Sequence, residues 1–261
     1  MQLRGAMLFL PASNPRMIAK ARSSAADLVV LDLEDAVKPE DKESARAAAL
    51  AAVAEDWPMP VAIRINAVRT EWHGLDLIAL SHSNAPLVVV PRAESREDLR
   101  YIRSHTGKPV AAMIETAKGV LAAHELAPEA VALIAGTNDL AADLRLPPEA
   151  GRGPLMASLQ LILLAARAVG IAAFDGVYNG LDDMDGFATE AAEGRLLGFD
   201  GKSLIHPKQI APCHAAFSPG AEELARAERL VAAASGGAER FEGQMIERMH
   251  VEAARRLLDR R

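Results

Sequence analysis

The sequence has few of the residues that mark several large classes of protein. Among its 261 residues, Cys213 is the single cysteine and only 4% of residues are aromatic. One cysteine excludes an internal disulfide and is typical of a reducing compartment. Basic residues are scattered, the formal net charge is −6, and aromatic side chains are scarce, so the sequence indicates no nucleic-acid-binding face.

Long hydrophobic runs are missing as well. The apolar stretch at residues 6–10 is too short for the core of a signal peptide and ends at Pro11. The run at 161–170 is interrupted by Arg167 well short of the length of a membrane span. We therefore expect a soluble, cytoplasmic protein with no membrane or nucleic-acid partner. Half of the residues are hydrophobic, which is enough to build a sizeable core.

Eight short apolar runs recur along the chain. They are residues 6–10, 28–33, 61–65, 87–90, 110–114, 131–135, 171–174 and 201–205. Runs that are apolar throughout are typical of strands covered on both faces. Between them lie Ala-rich segments with helical patterns, such as 41–56 and 154–169. The alternation predicts an α/β fold, a (β/α)8 TIM barrel; a doubly wound open sheet is the alternative, without a G-x-G-x-x-G or P-loop pattern to favour it.

The pattern changes beyond the eighth run. Residues 218–261 contain two more helical stretches, joined by a Gly-rich loop at 236–243. We therefore predict a catalytic barrel domain of residues 1–217 and a C-terminal helical extension of residues 218–261.

Polar side chains follow seven of the eight predicted strands. In chain order they are Asp32, Glu34, Asp35, Arg64, Asn66, Arg92, Glu94, Glu115, Asn138, Asp139, Asp175 and His206. The carboxyl ends of barrel strands meet at one rim, where such barrels place their chemistry. We therefore expect these side chains to converge on one functional site.

Glu115 and Asp139 are candidate metal ligands because they end adjacent predicted strands and neither has a Lys or Arg beside it in the sequence. Two carboxylates on one rim either repel each other or share a cation. Oxygen ligands without Cys or clustered His suit Mg²⁺, which keeps several waters and takes substrate oxygens for its remaining positions. The alternative is that each carboxylate pairs with an arginine of the rim.

Arg64 and His206 each allow two interpretations. Arg64 is either bound in a bidentate salt bridge to the acids at 32–35 or a clamp for a substrate carboxylate or a developing oxyanion. His206, followed at once by Pro207, is either a base or a residue that holds its loop.

Several motifs taken together resemble the citrate lyase beta-subunit-like branch of the HpcH/HpaI aldolase family. They are LFLPAS, VVLDLEDAV, IRIN, MIETAKG, AGTNDLAADL, and GFDGKSLIHPKQI followed by FSPGAEE. The resemblance covers nearly the whole chain. It implies a TIM barrel with Mg²⁺ at its C-terminal rim and a hydroxyacyl-CoA substrate such as citryl-, malyl- or citramalyl-CoA. Such a lyase cleaves the thioester into acetyl-CoA and a keto acid, or runs the reaction in reverse.

The resemblance also implies roles for individual residues. Glu115 and Asp139 hold the metal, Glu115 and Arg64 bind substrate, Arg64 also acts in catalysis, and Glu34 and Asp35 surround the waters of the metal. The catalytic acid–base of the family is an aspartate of a C-terminal Met-Ile-Asp motif, supplied by a neighbouring subunit. Here the motif ends in Glu247, which therefore takes the catalytic position in a homo-oligomer, expected to be a trimer.

Three positions depart from the family pattern. Ala12 stands in place of a glycine, Arg92 in place of a lysine and Glu247 in place of the aspartate. The longer arm of Glu247 matters because a displacement of about 1 Å can cost roughly a hundredfold in rate. Two other functions therefore stay open: an aldolase acting on a free 4-hydroxy-2-oxo acid with the same metal pair, and a lyase subunit that is inactive on its own.

Overall fold

Eight parallel strands form a closed barrel in the computed structural model, which describes residues 3–259. Each strand pairs with the next along the chain, and the eighth pairs with the first. The strands are β1 (Gly5–Pro11), β2 (Leu28–Asp32), β3 (Val61–Arg64), β4 (Val88–Val90), β5 (Val110–Ile114), β6 (Ala132–Ala135), β7 (Ala172–Asp175) and β8 (Gly201–Leu204). The predicted (β/α)8 barrel is confirmed, and every predicted strand is present.

Helices alternate with these strands. They are α1 (Pro15–Arg22), α2 (Lys42–Val53), α3 (His73–Ser81), α4 (Arg96–Thr106), α5 (Ala117–Leu126), α6 (Thr137–Asp143), α7 (Met156–Val169), α8 (Met184–Leu197) and α9 (Ile210–Phe217). The hydroxyl of Ser95 caps α4 by accepting from the N–H of Asp98, and Gly170 ends α7 in the left-handed conformation. Among residues 3–259, no helix has the length and apolar character that crossing a bilayer requires.

The barrel interior is filled by apolar side chains from alternate positions of the strands. The buried cluster is Met7, Leu28, Val30, Ala62, Leu87, Val89, Ala111, Met113, Ala132, Ile134 and Phe174. Successive side chains of a strand point to opposite faces, so the intervening residues pack against the helices. Apolar side chains therefore fill the interior of the barrel, and the polar residues that follow the strands lie beyond this layer, at the carboxyl ends of the strands.

The described residues divide into two compact units, one ending at Ala216 and one beginning at Phe217. The second contains α10 (Ala221–Ala233), the short strands β9 (Glu239–Phe241) and β10 (Gln244–Ile246), and α11 (Arg248–Leu258). Its small core includes Leu230, Ile246 and Ala254.

The expectation of a loop at 236–243 followed directly by a helix is wrong in detail. Strands β9 and β10 form an antiparallel hairpin in which Phe241 pairs with Gln244. The two residues between them, Glu242 and Gly243, have φ angles of 45° and 83°. Positive φ at both central residues is the requirement of the tight hairpin turn that matches the twist of the strands. The Glu-Gly pair therefore makes a hairpin, and the helix begins only at Arg248.

Candidate active site

A cavity of about 360 Å³ opens at the carboxyl ends of the barrel strands. Its polar lining consists of Asp32, Asp35, Arg64, Glu115, Thr137, Asn138, Asp139 and Ser203. Apolar side chains, among them Phe9, Met113 and Ile205, complete its walls. The structure thus brings together the acids and the arginine that the sequence placed after β2, β3, β5 and β6.

Arg64 lies among three carboxylates at the wall of this cavity. Its Nε and Nη2 each lie 2.6 Å from an oxygen of Asp32, in a bidentate pair. Its Nη1 lies 3.0 Å from Oε2 of Glu34 and 4.0 Å from Oε1 of Glu115. Burial acts to lower the pKa of Arg64, but the charge and hydrogen bonds of Asp32 prevail and raise it. The predicted salt bridge is present, and Nη1 remains directed toward the carboxylates at the cavity.

Asp32 also organises the turn that carries Glu34 and Asp35. Its Oδ1 accepts from the N–H of Glu34 at 2.9 Å, and its Oδ2 accepts from the N–H of Ala36 at 3.0 Å. The Asp32 side chain is 2% exposed and bonds the turn and Arg64 at once. One carboxylate therefore sets the position of the guanidinium relative to both acids of the turn.

Lys42 also holds this turn, a contact that the sequence analysis missed. Its buried ammonium donates to the carbonyls of Leu33 and Glu34, both at 2.7 Å, and to Oδ1 of Asn66 at 2.6 Å. Asn66 in turn donates to Oδ2 of Asp76 at 2.7 Å. The sequence feature that could have predicted this contact is a lysine in the first turn of the helix that directly follows the acidic segment.

Glu34 is buried, and burial raises its pKa to about 8 although Arg64 acts in the opposite direction. Its Oε2 has no hydrogen bond of good geometry among the described residues, in spite of the 3.0 Å approach to Arg64 Nη1. A buried carboxylate oxygen without a full partner can still accept a hydrogen bond from a water. Asp35, the next residue, is exposed and lines the cavity.

Glu115 is delivered to the cavity by β5 and is 2% exposed. Its Oε2 accepts from the N–H of Arg92 at 2.8 Å; Arg92 has a φ of 45°, a conformation that non-glycine residues seldom adopt. Burial raises the pKa of Glu115 to about 7, against the lowering effects of Arg64 and of the Arg92 N–H. Raised pKa values of this kind are typical of acids at functional sites.

Asp139 faces the same cavity from the first turn of α6. Strands β5 and β6 are paired neighbours, so the two predicted metal ligands stand side by side. Asp139 Oδ1 lies 3.8 Å from Arg92 Nη1, and both side chains are substantially exposed. The predicted alternative, in which each acid pairs with an arginine of the rim, is thus present only as two long contacts, 4.0 Å for Glu115 with Arg64 and 3.8 Å for Asp139 with Arg92.

A glycine makes room for Glu115. A Cβ atom added to Gly136, which links β6 to α6, would overlap Cγ of Glu115 and lie 2.8 Å from its Oε1. Glu115 therefore packs directly on the backbone at the start of the segment that carries Asp139.

The donors of this site fit Mg²⁺. They are carboxylate oxygens, with no cysteine or histidine among the residues that line the cavity. Within residues 3–259, no cluster of three or more His, Cys, Asp or Glu side chains is arranged to hold a metal ion. A pair of protein carboxylates with remaining positions left to water and substrate is the arrangement that Mg²⁺ commonly takes.

Six residues expected at the rim do not line this cavity: Glu34, Asn66, Arg92, Glu94, Asp175 and His206. Glu34 and Arg92 instead contact residues that line it, and Asn66 accepts from Lys42. Asp175 is directed outward, where it lies 2.9 Å from both Lys202 Nζ and Arg152 Nη2. Glu94 accepts from the hydroxyl of Thr116 at 2.8 Å. His206 lines a separate cavity of about 150 Å³. The prediction that all twelve residues converge on one site is therefore wrong for these six, because position after a strand does not decide which way a side chain points.

Glu247 belongs to the second unit, where it precedes the first residue of α11. Its N–H donates to Nδ1 of His250 at 3.0 Å. The side chain is partly exposed. Its catalytic role stays a prediction.

Comparisons with known proteins match the chain over nearly its full length. Residues 5–207 match the family model for HpcH/HpaI aldolase/citrate lyase, and residues 156–261 match a model for carbon–carbon bond lyases of the TIM-barrel fold. The chain is 38% identical to a (3S)-malyl-CoA thioesterase of Cereibacter sphaeroides over 97% of this chain and 92% of the relative. It is 33% identical to the citrate lyase subunit beta of Haemophilus influenzae over 100% of this chain and 97% of the relative.

A solved structure is similar over almost the full length. It is the protein CitE from Mycobacterium tuberculosis in complex with magnesium, acetoacetate and coenzyme A. The TM-score is 0.88 at 35% identity, and the match covers 98% of this chain and 97% of that one.

Proposed function

The chain belongs to the HpcH/HpaI aldolase/citrate lyase family, a family of carbon–carbon lyases, and from this premise we propose that it is a Mg²⁺-dependent lyase acting on a hydroxyacyl-CoA thioester. The observation that carries the proposal is the convergence of Glu115, Asp139 and Arg64 on one cavity. Its substrate would be a thioester such as citryl-, malyl- or citramalyl-CoA, which yields acetyl-CoA and a keto acid. The magnesium and coenzyme A bound to the similar solved structure support both the metal and the substrate class.

Glu115 and Asp139 would hold the metal, with Glu34 and Asp35 placed to accept hydrogen bonds from its waters. When bound, Mg²⁺ supplies a Lewis acid for the hydroxyl and carboxylate oxygens of the acyl group. Glu115 is suited to this role because burial disfavours its charge in the absence of a cation.

Arg64 would stabilise the enolate oxygen of the departing acetyl-CoA. Its guanidinium stays charged, and the bidentate pair with Asp32 fixes two of its nitrogens. Nη1 is left on the side of Glu34 and Glu115, the carboxylates proposed to contact the metal waters and the metal. A donor held in place before charge develops is the arrangement that lowers a barrier most effectively.

The base that removes the hydroxyl proton is proposed to be Glu247, supplied by a neighbouring subunit of a homo-oligomer, most simply a trimer. The proposal follows from the family resemblance of the Met245–Glu247 segment. Closed cyclic symmetry would complete every site at once. A carboxylate within hydrogen-bond distance of a hydroxyl group can act as the general base that accepts its proton.

A thioesterase outcome is the second candidate, favoured by the similarity to the malyl-CoA thioesterase. The same cavity would then direct attack of water on the thioester carbonyl, giving a free hydroxy acid and coenzyme A. The two outcomes differ in which bond breaks, and therefore in their products.

The test is incubation of the purified protein and Mg²⁺ with citryl-, malyl- and citramalyl-CoA, with products identified by mass spectrometry. A lyase releases acetyl-CoA with oxaloacetate, glyoxylate or pyruvate, respectively. A thioesterase releases coenzyme A with the intact hydroxy acid. Free 4-hydroxy-2-oxo acids complete the panel, and cleavage of these alone would replace the thioester proposal by the aldolase. Inactivity toward every compound would favour a subunit that requires partners.

A further inference from the structure

Ser203 is a polar side chain of the cavity to which neither the sequence pattern nor the proposed function gives a role. It lies on β8, directly after Lys202. The ammonium of Lys202 binds Asp175 at 2.9 Å and Glu190 of α8 at 2.7 Å, on the helix side of the sheet. Since successive side chains of a strand alternate, Ser203 points into the barrel, and it lines the cavity with Arg64 and Glu115.

The hydroxyl of Ser203 is buried without a partner. The residue is 1% exposed, and its Oγ has no hydrogen bond to any residue that the structure describes. Buried hydroxyl groups in proteins are nearly always hydrogen-bonded, because leaving one unpaired costs stability. An unpaired hydroxyl that faces a ligand cavity is therefore a group that a ligand can satisfy.

Its surroundings give the hydroxyl no role in the fold. The residues that line the cavity from the adjoining strand and loops include Phe9, Val177 and Ile205, all apolar. An alanine at position 203 would occupy nearly the same volume and remove the unpaired oxygen. For folding alone, alanine is the better residue at this position.

Three other polar side chains of the cavity already have partners. Arg64 is paired with Asp32, Glu115 accepts from the Arg92 N–H, and Asn138 exchanges hydrogen bonds with Asn179. Ser203 differs from them because its one hydroxyl can rotate to donate to, or accept from, whatever enters.

We propose that Ser203 is a specificity-determining residue whose hydroxyl hydrogen-bonds an oxygen of the acyl group in the bound hydroxyacyl-CoA. This inference rests on the proposed function for the identity of the substrate. Ser203 lies on β8, apart from the metal carboxylates that follow β5 and β6, so its partner is an acyl oxygen other than those assigned to the metal. The residue adds affinity for an oxygen-bearing acyl group and costs the empty protein stability.

Ser203→Ala should therefore weaken substrate binding without lowering the stability of the protein, and the two effects can be measured separately. The variant should show kcat/KM lowered by about three- to tenfold, the effect of losing one neutral hydrogen bond. Its melting temperature without ligand should be equal to or higher than that of the unmodified protein. Ser104→Ala is the matched control, because Ser104 is exposed on α4 and bonds the carbonyl of Tyr101 and Nδ1 of the neighbouring His105, neither of which lines the cavity.

The measurements are kcat/KM for malyl-, citramalyl- and citryl-CoA and the melting temperature of each variant. A loss shared by all three thioesters places the contact on an oxygen that they have in common; a loss confined to citryl-CoA places it on the extra carboxylate of citrate. Both outcomes support the proposal. Unchanged kcat/KM for all three overturns it, as does a lowered melting temperature with intact kcat/KM, which would show that Ser203 holds a structural water.

Failure of the proposed function remains distinguishable. If the unmodified protein turns over no thioester, the lyase and thioesterase assignments fall independently of Ser203. Binding of malyl-, citramalyl- and citryl-CoA with Mg²⁺, measured by calorimetry, then tests the hydroxyl directly. Weaker binding of any of the three by Ser203→Ala than by the unmodified protein supports the proposed contact. Equal binding of all three by the two proteins overturns it.

Discussion

Replacing Gly136 by alanine should disable the proposed metal site without substituting either of its proposed ligands. The added Cβ would overlap Cγ of Glu115 and lie 2.9 Å from its Cδ. Carbon atoms pack best from about 3.5 Å outward, so Cδ must move by roughly 0.6 Å and Cγ by more. Backbone strain plays little part, because the φ of Gly136 is −95°, which alanine adopts readily.

The displacement is large on the scale of the coordination it disturbs. Mg²⁺ demands near-ideal geometry with oxygens at about 2.0–2.1 Å, so a ligand moved by half an ångström or more binds poorly. Glu115 has little room to adapt because it is buried and held by the Arg92 N–H at 2.8 Å. We expect Mg²⁺ affinity to fall at least about tenfold and kcat/KM by roughly ten- to a hundredfold. Overpacking should also cost about 1–3 kcal/mol of unfolding free energy.

The assay is Mg²⁺ titration by calorimetry, together with kcat/KM at saturating Mg²⁺. Gly74→Ala is the control, since a Cβ at Gly74 in α3 meets nothing within 4 Å and should leave Mg²⁺ binding intact. Adding Gly136→Ala to Glu115→Gln should cost little further affinity, because both changes remove the same ligand. A folded Gly136→Ala protein that binds Mg²⁺ as tightly as the unmodified one would refute the reasoning.

Four further predictions concern the carboxylates and the arginine. Glu115→Gln and Asp139→Asn should each bind Mg²⁺ at least about tenfold more weakly in calorimetry, because each loses a charged oxygen ligand. Arg64→Ala should lose most activity, about a hundredfold or more in kcat, with oxyanion stabilisation removed. A mixture of Arg64→Ala and Glu247→Ala proteins, each inactive alone, should regain part of the activity after subunit exchange. The unfolding free energy of the metal-free protein should fall as pH rises from about 4.5 to about 8, because the folded state keeps a proton on Glu34 that the unfolded state releases.

Each of these has a result that would count against it. Unaltered metal affinity in both carboxylate variants would remove Glu115 and Asp139 from the metal site. Full activity of Arg64→Ala, or a large loss of melting temperature with activity retained, would leave Arg64 a purely structural partner of Asp32. No recovery in the mixed oligomers, with exchange demonstrated, would exclude a shared site. A Glu34→Gln protein whose stability varies with pH as steeply as the unmodified protein would show that other groups cause the dependence.

The order and boundaries of the barrel strands could be predicted from the sequence, because strands buried on both faces must be apolar throughout. The same logic located the rim, since a polar residue that directly follows such a strand has reached the open end of the barrel. Glu115 and Asp139 were predicted in this way, and the structure places both at one cavity. The turn at Glu242–Gly243 was missed because its positive φ angles signal a hairpin only when two short strands are recognised beside it.

Which strand-end residues meet was decided by the tertiary structure. Asp175 and Ser203 both come from the last two strands of the barrel, yet the charged one faces outward to Lys202 and the neutral one faces the cavity. Arg64 binds Asp32 across 32 positions of sequence, and Lys42 reaches the turn that carries Glu34 from the helix that follows it. Whether a side chain points into the cavity or toward the helices depends on how the alternation of its strand is set in the closed barrel. Which residues meet across neighbouring strands depends on the stagger between those strands. Neither quantity exists until the barrel closes.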